Sequence, residues 1–118
     1  MITKHEEDTY ELTYDELKLA NHLIETFKMK TKDNPIKSYS IVQGINNNMN
    51  LGFKFTDVRL RKIVNYYRVK SIIPIMSGSK GYYVSYDPED IKTMILSLQQ
   101  RANSIQNCVD GLSKFLNE

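Results

Sequence analysis

The sequence predicts an α+β chain, mostly helical, and three stretches carry that prediction. Val58, Leu60, Ile63, Val64 and Tyr67 fall on one side of a helix, with Arg59, Arg61, Lys62, Asn65, Tyr66 and Arg68 over much of the rest. Ile72–Met76 and Gly81–Ser85 are short runs rich in β-branched residues and Tyr, and the turn-forming Ser77-Gly78-Ser79-Lys80 between them makes a hairpin. From Asp87 onward, apolar residues recur every three or four positions. A basic helix followed at once by a hairpin with a basic tip is the working end of a winged helix-turn-helix. The expected architecture is therefore a winged helix-turn-helix domain over residues 12–86 with a two- or three-stranded wing. A long C-terminal oligomerisation helix over residues 87–117 follows it.

Each element has a local cause. Residues 1–11 are polar and acidic, unlike a signal peptide, and read as loosely docked. Thr13-Tyr14-Asp15-Glu16 matches a capping box, in which hydroxyl and carboxylate satisfy free N–H groups reciprocally. The helix it opens is expected to reach about Lys30 and to bury Leu17, Ala20, Leu23, Ile24 and Phe27, with His22 beside that stripe. After Pro35, Ser38 or Ser40 caps a short helix through Ile41, Val42 and Ile45. Gly44 weakens it by about 1 kcal/mol relative to Ala. Asn46–Asn50 reads as a loop, longer than the tight turn of the simplest helix-turn-helix, for which solvation and phosphate contact are equal explanations. Phe53 and Phe55 alternate with Lys54 and are expected to add a third strand to the hairpin. Thr56 is the N-cap of the basic helix, with Asp57 suiting its positive end. Pro74 places its strand at an edge, and Tyr82 and Tyr83 point to opposite faces.

Asp87-Pro88-Glu89-Asp90 is a helix start with N-cap, proline at the first position and two acids. Ile91, Ile95, Leu98, Ala102, Ile105, Val109, Leu112 and Leu116 then form a heptad seam, with d at Ile91 and a at Ile95. A helix of about 30 residues is roughly 45 Å long, against a radius of gyration near 12 Å for the preceding domain, so part of the seam calls for a partner. A second copy is the simplest one, giving a homodimer. The opposing possibility is a kink at Gly111 or a fold back onto the domain. The flanking positions carry few charges, which leaves parallel, antiparallel and four-helix arrangements open.

Among 118 residues, charge is unevenly placed. Residues 1–25 have a net of −5, whereas residues 54–80 carry seven Lys or Arg against Asp57 alone, a net of +6. Cations gathered on one helix and one loop make a polyanion site in a chain whose overall charge is only +2. No apolar run approaches the roughly 20 residues of a membrane span. One cysteine, Cys108, precludes an internal disulfide and suits a reducing cytosol. His5, His22 and Cys108 lack metal-ligand spacing. Ser77–Gly81 lacks the G-x-x-x-x-G-K-[ST] order of a phosphate loop, and the acids cluster at helix starts, where capping explains them. No enzyme, metal or cofactor is expected.

Four segments carry a resemblance: Pro35-Ile36-Lys37-Ser38, Arg61-Lys62-Ile63-Val64-Asn65-Tyr66-Tyr67-Arg68, and Ile73-Pro74-Ile75 with Gly81-Tyr82-Tyr83. The fourth is the acidic helix start leading into Leu98-Gln99-Gln100-Arg101-Ala102-Asn103-Ser104-Ile105. With these, a little over half the chain resembles small winged helix-turn-helix DNA-binding proteins of bacteriophages and mobile elements. The resemblance implies a cytoplasmic protein of a bacterial host cell with a transcriptional or replication-associated role. It departs in one place, since Ser71-Ile72 stands where a Gly usually separates the recognition helix from the first wing strand.

The expected function is duplex DNA binding by a dimer, as a transcriptional regulator or replication accessory. Arg59 and Lys62 are the candidates for base or phosphate contact, with Thr56, Arg61, Asn65 and Tyr66 on the same helix, and Ser79, Lys80 and Tyr82 on the wing. About five phosphate contacts predict a salt slope of about −4 to −5. Arg61 and Arg68 have an alternative, pairing with acids of the first helix. The competing function is a winged-helix interaction module that binds a host or phage protein, for example as an inhibitor of a host defence enzyme. Single-stranded DNA is a third possible target.

Overall fold

The structure, a computed structural model, describes residues 11–116, and the chain divides between Ser85 and Tyr86 into two units. The expectation for residues 1–10 lies outside the described residues. The fold is α+β and mostly helical, with four helices and one two-stranded antiparallel sheet among the described residues.

Helix α1 (Tyr14–Lys28) opens at the expected capping box. The Glu16 N–H donates to Thr13 Oγ1 at 3.1 Å, and the Thr13 N–H donates to Glu16 Oε1 at 2.9 Å. Its buried face is Leu19, Ala20, Leu23 and Phe27, with Leu17 and Ile24 only half-buried. Helix α2 (Ser38–Asn48) buries Ile41 and Ile45. Neither Ser38 nor Ser40 caps it: Lys37 occupies the cap position and makes no side-chain cap bond.

Helix α2 also runs through Asn46–Asn48, part of the expected loop. Asn46 acts there as a piece of backbone. Its Nδ2 donates to the Phe55 carbonyl and its Oδ1 accepts from the Phe55 N–H, both at 2.9 Å. This is why Phe53 and Phe55 form no strand, for the pairing groups of Phe55 are already satisfied.

Helix α3 (Asp57–Val69) starts at Thr56, whose hydroxyl accepts from the Arg59 N–H, and buries Leu60, Ile63, Val64 and Tyr67. Val58, expected in that stripe, is instead 44% exposed. The helix ends in a Schellman motif: the Ser71 N–H donates to the Arg68 carbonyl and the Ile72 N–H to the Tyr67 carbonyl. Ser71 takes the left-handed conformation, φ 55°, that Gly adopts without strain.

Strands β1 (Ile75–Gly78) and β2 (Gly81–Val84) pair from Ile75↔Val84 to Gly78↔Gly81, leaving Ser79-Lys80 as a two-residue turn. The third pairing partner is a single residue, Ile36. Its N–H donates to the Tyr82 carbonyl at 2.9 Å, and its carbonyl accepts from the Tyr82 N–H at 2.8 Å. The backbones approach so closely that a Cβ on Gly81, at φ 125°, would lie 2.3 Å from the Ile36 carbonyl oxygen.

The core of this unit joins all three helices to the hairpin through Phe27, Phe55, Leu60, Ile63, Tyr67 and Ile75. Tyr67, fully buried, donates its hydroxyl to the Ala20 carbonyl and meets the Phe27 ring edge-on at 5.8 Å. Full burial of each large apolar side chain contributes roughly 1.5–3 kcal/mol.

The second unit is helix α4 (Pro88–Ser113), closed by a 3₁₀ turn at Lys114–Leu116. Asp87 caps it by accepting from the Glu89 N–H, and the helix passes through Gly111 unbroken. It is about 39 Å long. None of its residues is buried.

Candidate nucleic-acid interface

The two basic flanks of α3 meet different surroundings. On the inner flank stands Glu16 of α1, fully buried. Arg59 Nη1 donates to its Oε2 at 2.8 Å, and Lys62 Nζ donates to its Oε1 at 2.9 Å. The Lys62 side chain is only 10% exposed, and the Arg59 guanidinium also stacks 4.4 Å from the Phe53 ring centre. Burial alone would raise the Glu16 carboxyl, but the hydrogen bonds from Lys62 and the Thr13 N–H, with the charges of Lys62 and Arg59, outweigh it. The group is held below its ordinary value of 4.5.

This corrects the first choice of contact residues. Arg59 and Lys62 are internal counterions of Glu16, Lys62 wholly so, because one carboxylate in the core requires compensating charge. For Arg61 and Arg68, whose expected alternative was pairing with acids of α1, the structure shows other contacts. Arg61 reaches Asp57 of its own helix at 3.7 Å, both ends being more than half exposed. Arg68 donates to the Ile75 carbonyl at 3.0 Å and to Ser77 Oγ at 3.2 Å, tying α3 to β1.

The outer flank presents Val58, Arg61 and Asn65, spaced so that all three share one face, with exposed Val69 near its end. Tyr82 lies close to it. Burial raises the Tyr82 hydroxyl above its ordinary value, and nearby Asp57 raises it further against the opposing charges of Arg68 and Arg61. Tyr66, half-buried, packs against the core beside Tyr67, and Thr56 is engaged as the helix cap. Neither is displayed as a contact residue in the way the sequence led us to expect.

At the hairpin, Ser79 and Lys80 form the exposed turn, and no partner for the Lys80 ammonium is seen among the described residues. A shallow polar cleft separates this hairpin from the start of α2, lined by Lys37, Ser38, Tyr39, Ser77, Ser79 and Tyr82 among others. No acid lies in the first turn of α2 and no side chain caps it, so its positive end faces solvent beside exposed Lys37 and Tyr39. Sequence reasoning passed over this trio. The available signal was a Lys directly before a helix whose first turn holds no acid.

The structure thus sets Tyr82 near Arg61 and Arg68 and beside the cleft that holds Lys37 and Ser79, and ties Arg59 and Lys62 to Glu16. Of the seam residues on α4, Ile91 and Leu98 are half-buried, whereas Ile95, Ala102, Ile105, Val109, Leu112 and Leu116 are exposed. Among the described residues no three His, Cys, Asp or Glu side chains are grouped to hold a metal ion. No helix among them is long and apolar enough to cross a membrane. Comparison of the chain with protein-family models, with curated proteins and with solved structures gives no match.

Proposed function

We propose that residues 12–86 form a winged helix-turn-helix domain that binds duplex DNA, in a transcriptional or replication-accessory role. The element order supports this: a helix, a single pairing residue, two further helices and a hairpin that pairs back onto that residue. The observation that carries the reading is the continuity of the outer flank of α3, the hairpin turn and the uncapped start of α2. Together they offer Arg61, Lys80, Lys37 and free backbone N–H groups, with Asp57 as the one acid there among the described residues.

In this reading α3 enters the major groove with its outer flank. Arg61 and Asn65 have the donor patterns that match guanine and adenine edges, and Val58 supplies a methyl surface for thymine. Lys80, Ser79 and Lys37 take phosphates, aided by the α2 N-terminus. With Arg59 and Lys62 committed to Glu16, about three phosphate contacts remain, so the expected salt slope moves from about −4 to −5 to near −3.

Fluorescence anisotropy with a nonspecific duplex at low salt tests the proposal. Arg61→Ala with Lys80→Ala is expected to weaken binding and to reduce the salt slope by about 1, the share of the Lys80 phosphate contact. Its effect on stability should be under about 1 kcal/mol, since both groups are exposed. One observation favours the second reading, an interaction module for a host or phage protein: two of the α3 cations are already neutralised. If the wild type fails to bind duplex, or the variant binds as well as wild type, that reading replaces the first. Stronger binding to a single strand in competition would redirect the proposal to single-stranded DNA.

A further inference from the structure

Helix α4 carries an apolar seam that the described chain leaves largely open: Ile105 is 64% exposed, Val109 48% and Leu112 68%. We infer that this seam is covered by the same seam of a second copy running antiparallel, the two-fold axis crossing the helix between Asn103 and Ser104. The inference is independent of the nucleic-acid reading.

The seam keeps a strict 3,4 spacing from Ile91 to Leu116. That spacing repeats every 3.5 residues and drifts around a straight helix, so only a supercoiling partner of the same period covers it throughout. Turning the helix end for end about this axis returns every a position opposite a d position. The smallest seam residue, Ala102, then meets the partner's Ile105, and Leu98 meets the partner's Val109. On one flank Gln99 faces the partner's Gln106, and two amides can bond one another. A closed, self-complementary contact of this kind ends at two copies.

The parallel alternative is worse in two respects. It sets Ala102 against its own copy, leaving a void in the middle of the seam. It also places two sets of Asp87, Glu89 and Asp90 side by side, with both helix dipoles aligned. The antiparallel arrangement parts these acids by the helix length and opposes the dipoles. A strip about 39 Å long and about 10 Å wide covers on the order of 800 Å² over both copies. That is the weak, transient end of association, so the dimer should dissociate on dilution into the micromolar range, about 1–10 µM.

Two measurements on the full chain test this. Sedimentation should show a dimer at about 100 µM that dissociates on dilution. Ile105→Glu should be a monomer at every concentration while keeping the wild-type circular dichroism spectrum, since the residue is exposed in the single chain. Spin labels on Thr93→Cys in a Cys108→Ser background then report direction and register. Antiparallel pairing about the stated axis places the labels about 35 Å apart, the parallel one about 20 Å, and a one-heptad slip about 25 or about 45 Å according to its direction. A wild type that stays monomeric, an Ile105→Glu variant that still dimerises, or a distance near 20, 25 or 45 Å overturns the inference.

Discussion

The two flanks of α3 carry the same kinds of residue and do different work. Arg59 and Lys62 face inward onto Glu16, where desolvation makes their charge indispensable to the fold. Arg61 faces outward, in a loose pair with Asp57, both ends exposed and screened by water. The difference teaches that a cation's identity fixes its charge but its counterion decides whether that charge is free to meet a ligand. Here one glutamate, remote in sequence, divides a uniformly basic helix into a structural side and an available side.

The sharpest way to break this contrast is Glu16→Ala. It leaves Lys62 buried without its carboxylate and should cost about 3–5 kcal/mol of stability in urea unfolding. It also removes half the capping box. If the loss is under about 1 kcal/mol, Lys62 has swung out to water and the two flanks are equivalent after all.

Acid should act on the inner flank alone. Because the folded Glu16 carboxyl is held below 4.5, the stability it contributes is fully present above that value. It should fade as pH drops through the lower folded value. Thermal melts from pH 6 towards about pH 2 should show this loss, and Glu16→Gln should flatten it. Tyr67 sets the opposite limit. Its buried hydroxyl is raised well above its ordinary value of 10.0, so its contribution is complete below pH 10 and lost as pH rises through the folded value.

The smallest effect sharpens the picture at the far end of α3. Ser71→Gly relieves a left-handed serine and should add about 1 kcal/mol, read as a shift in urea midpoint with unchanged slope. No change, or a loss, would mean that something other than backbone strain governs the turn.

Local chemistry was legible in the sequence and distant pairing was not. Thr13 and Glu16 announce a capping box because the motif lies within four residues, yet nothing there reveals that the same carboxylate answers Lys62 across 46 positions. Thr56, Asp87-Pro88 and the α4 seam were equally readable, each fixed by neighbours on its own helix. Ile36 was not, since one bridging residue has no alternation to display. Phe53 and Phe55 did alternate, and misled, because Asn46 had already satisfied the Phe55 backbone from another helix. The proposed surface followed suit: Arg61 and Lys80 could be nominated from sequence, whereas Lys37 and Tyr39 come beside the hairpin only through the fold of that hairpin onto α2.

Asn46 has a consequence for how such a chain drifts over generations. Because its amide grips both polar groups of Phe55, the starting point of α3 is set by α2 and not by the length of chain between them. Residues 49–54 are therefore released from setting that start, and what constrains them is the packing of Met49, Leu51 and Phe53 against the core. Substitutions there are answered by packing, while the direction of the helix is held from elsewhere.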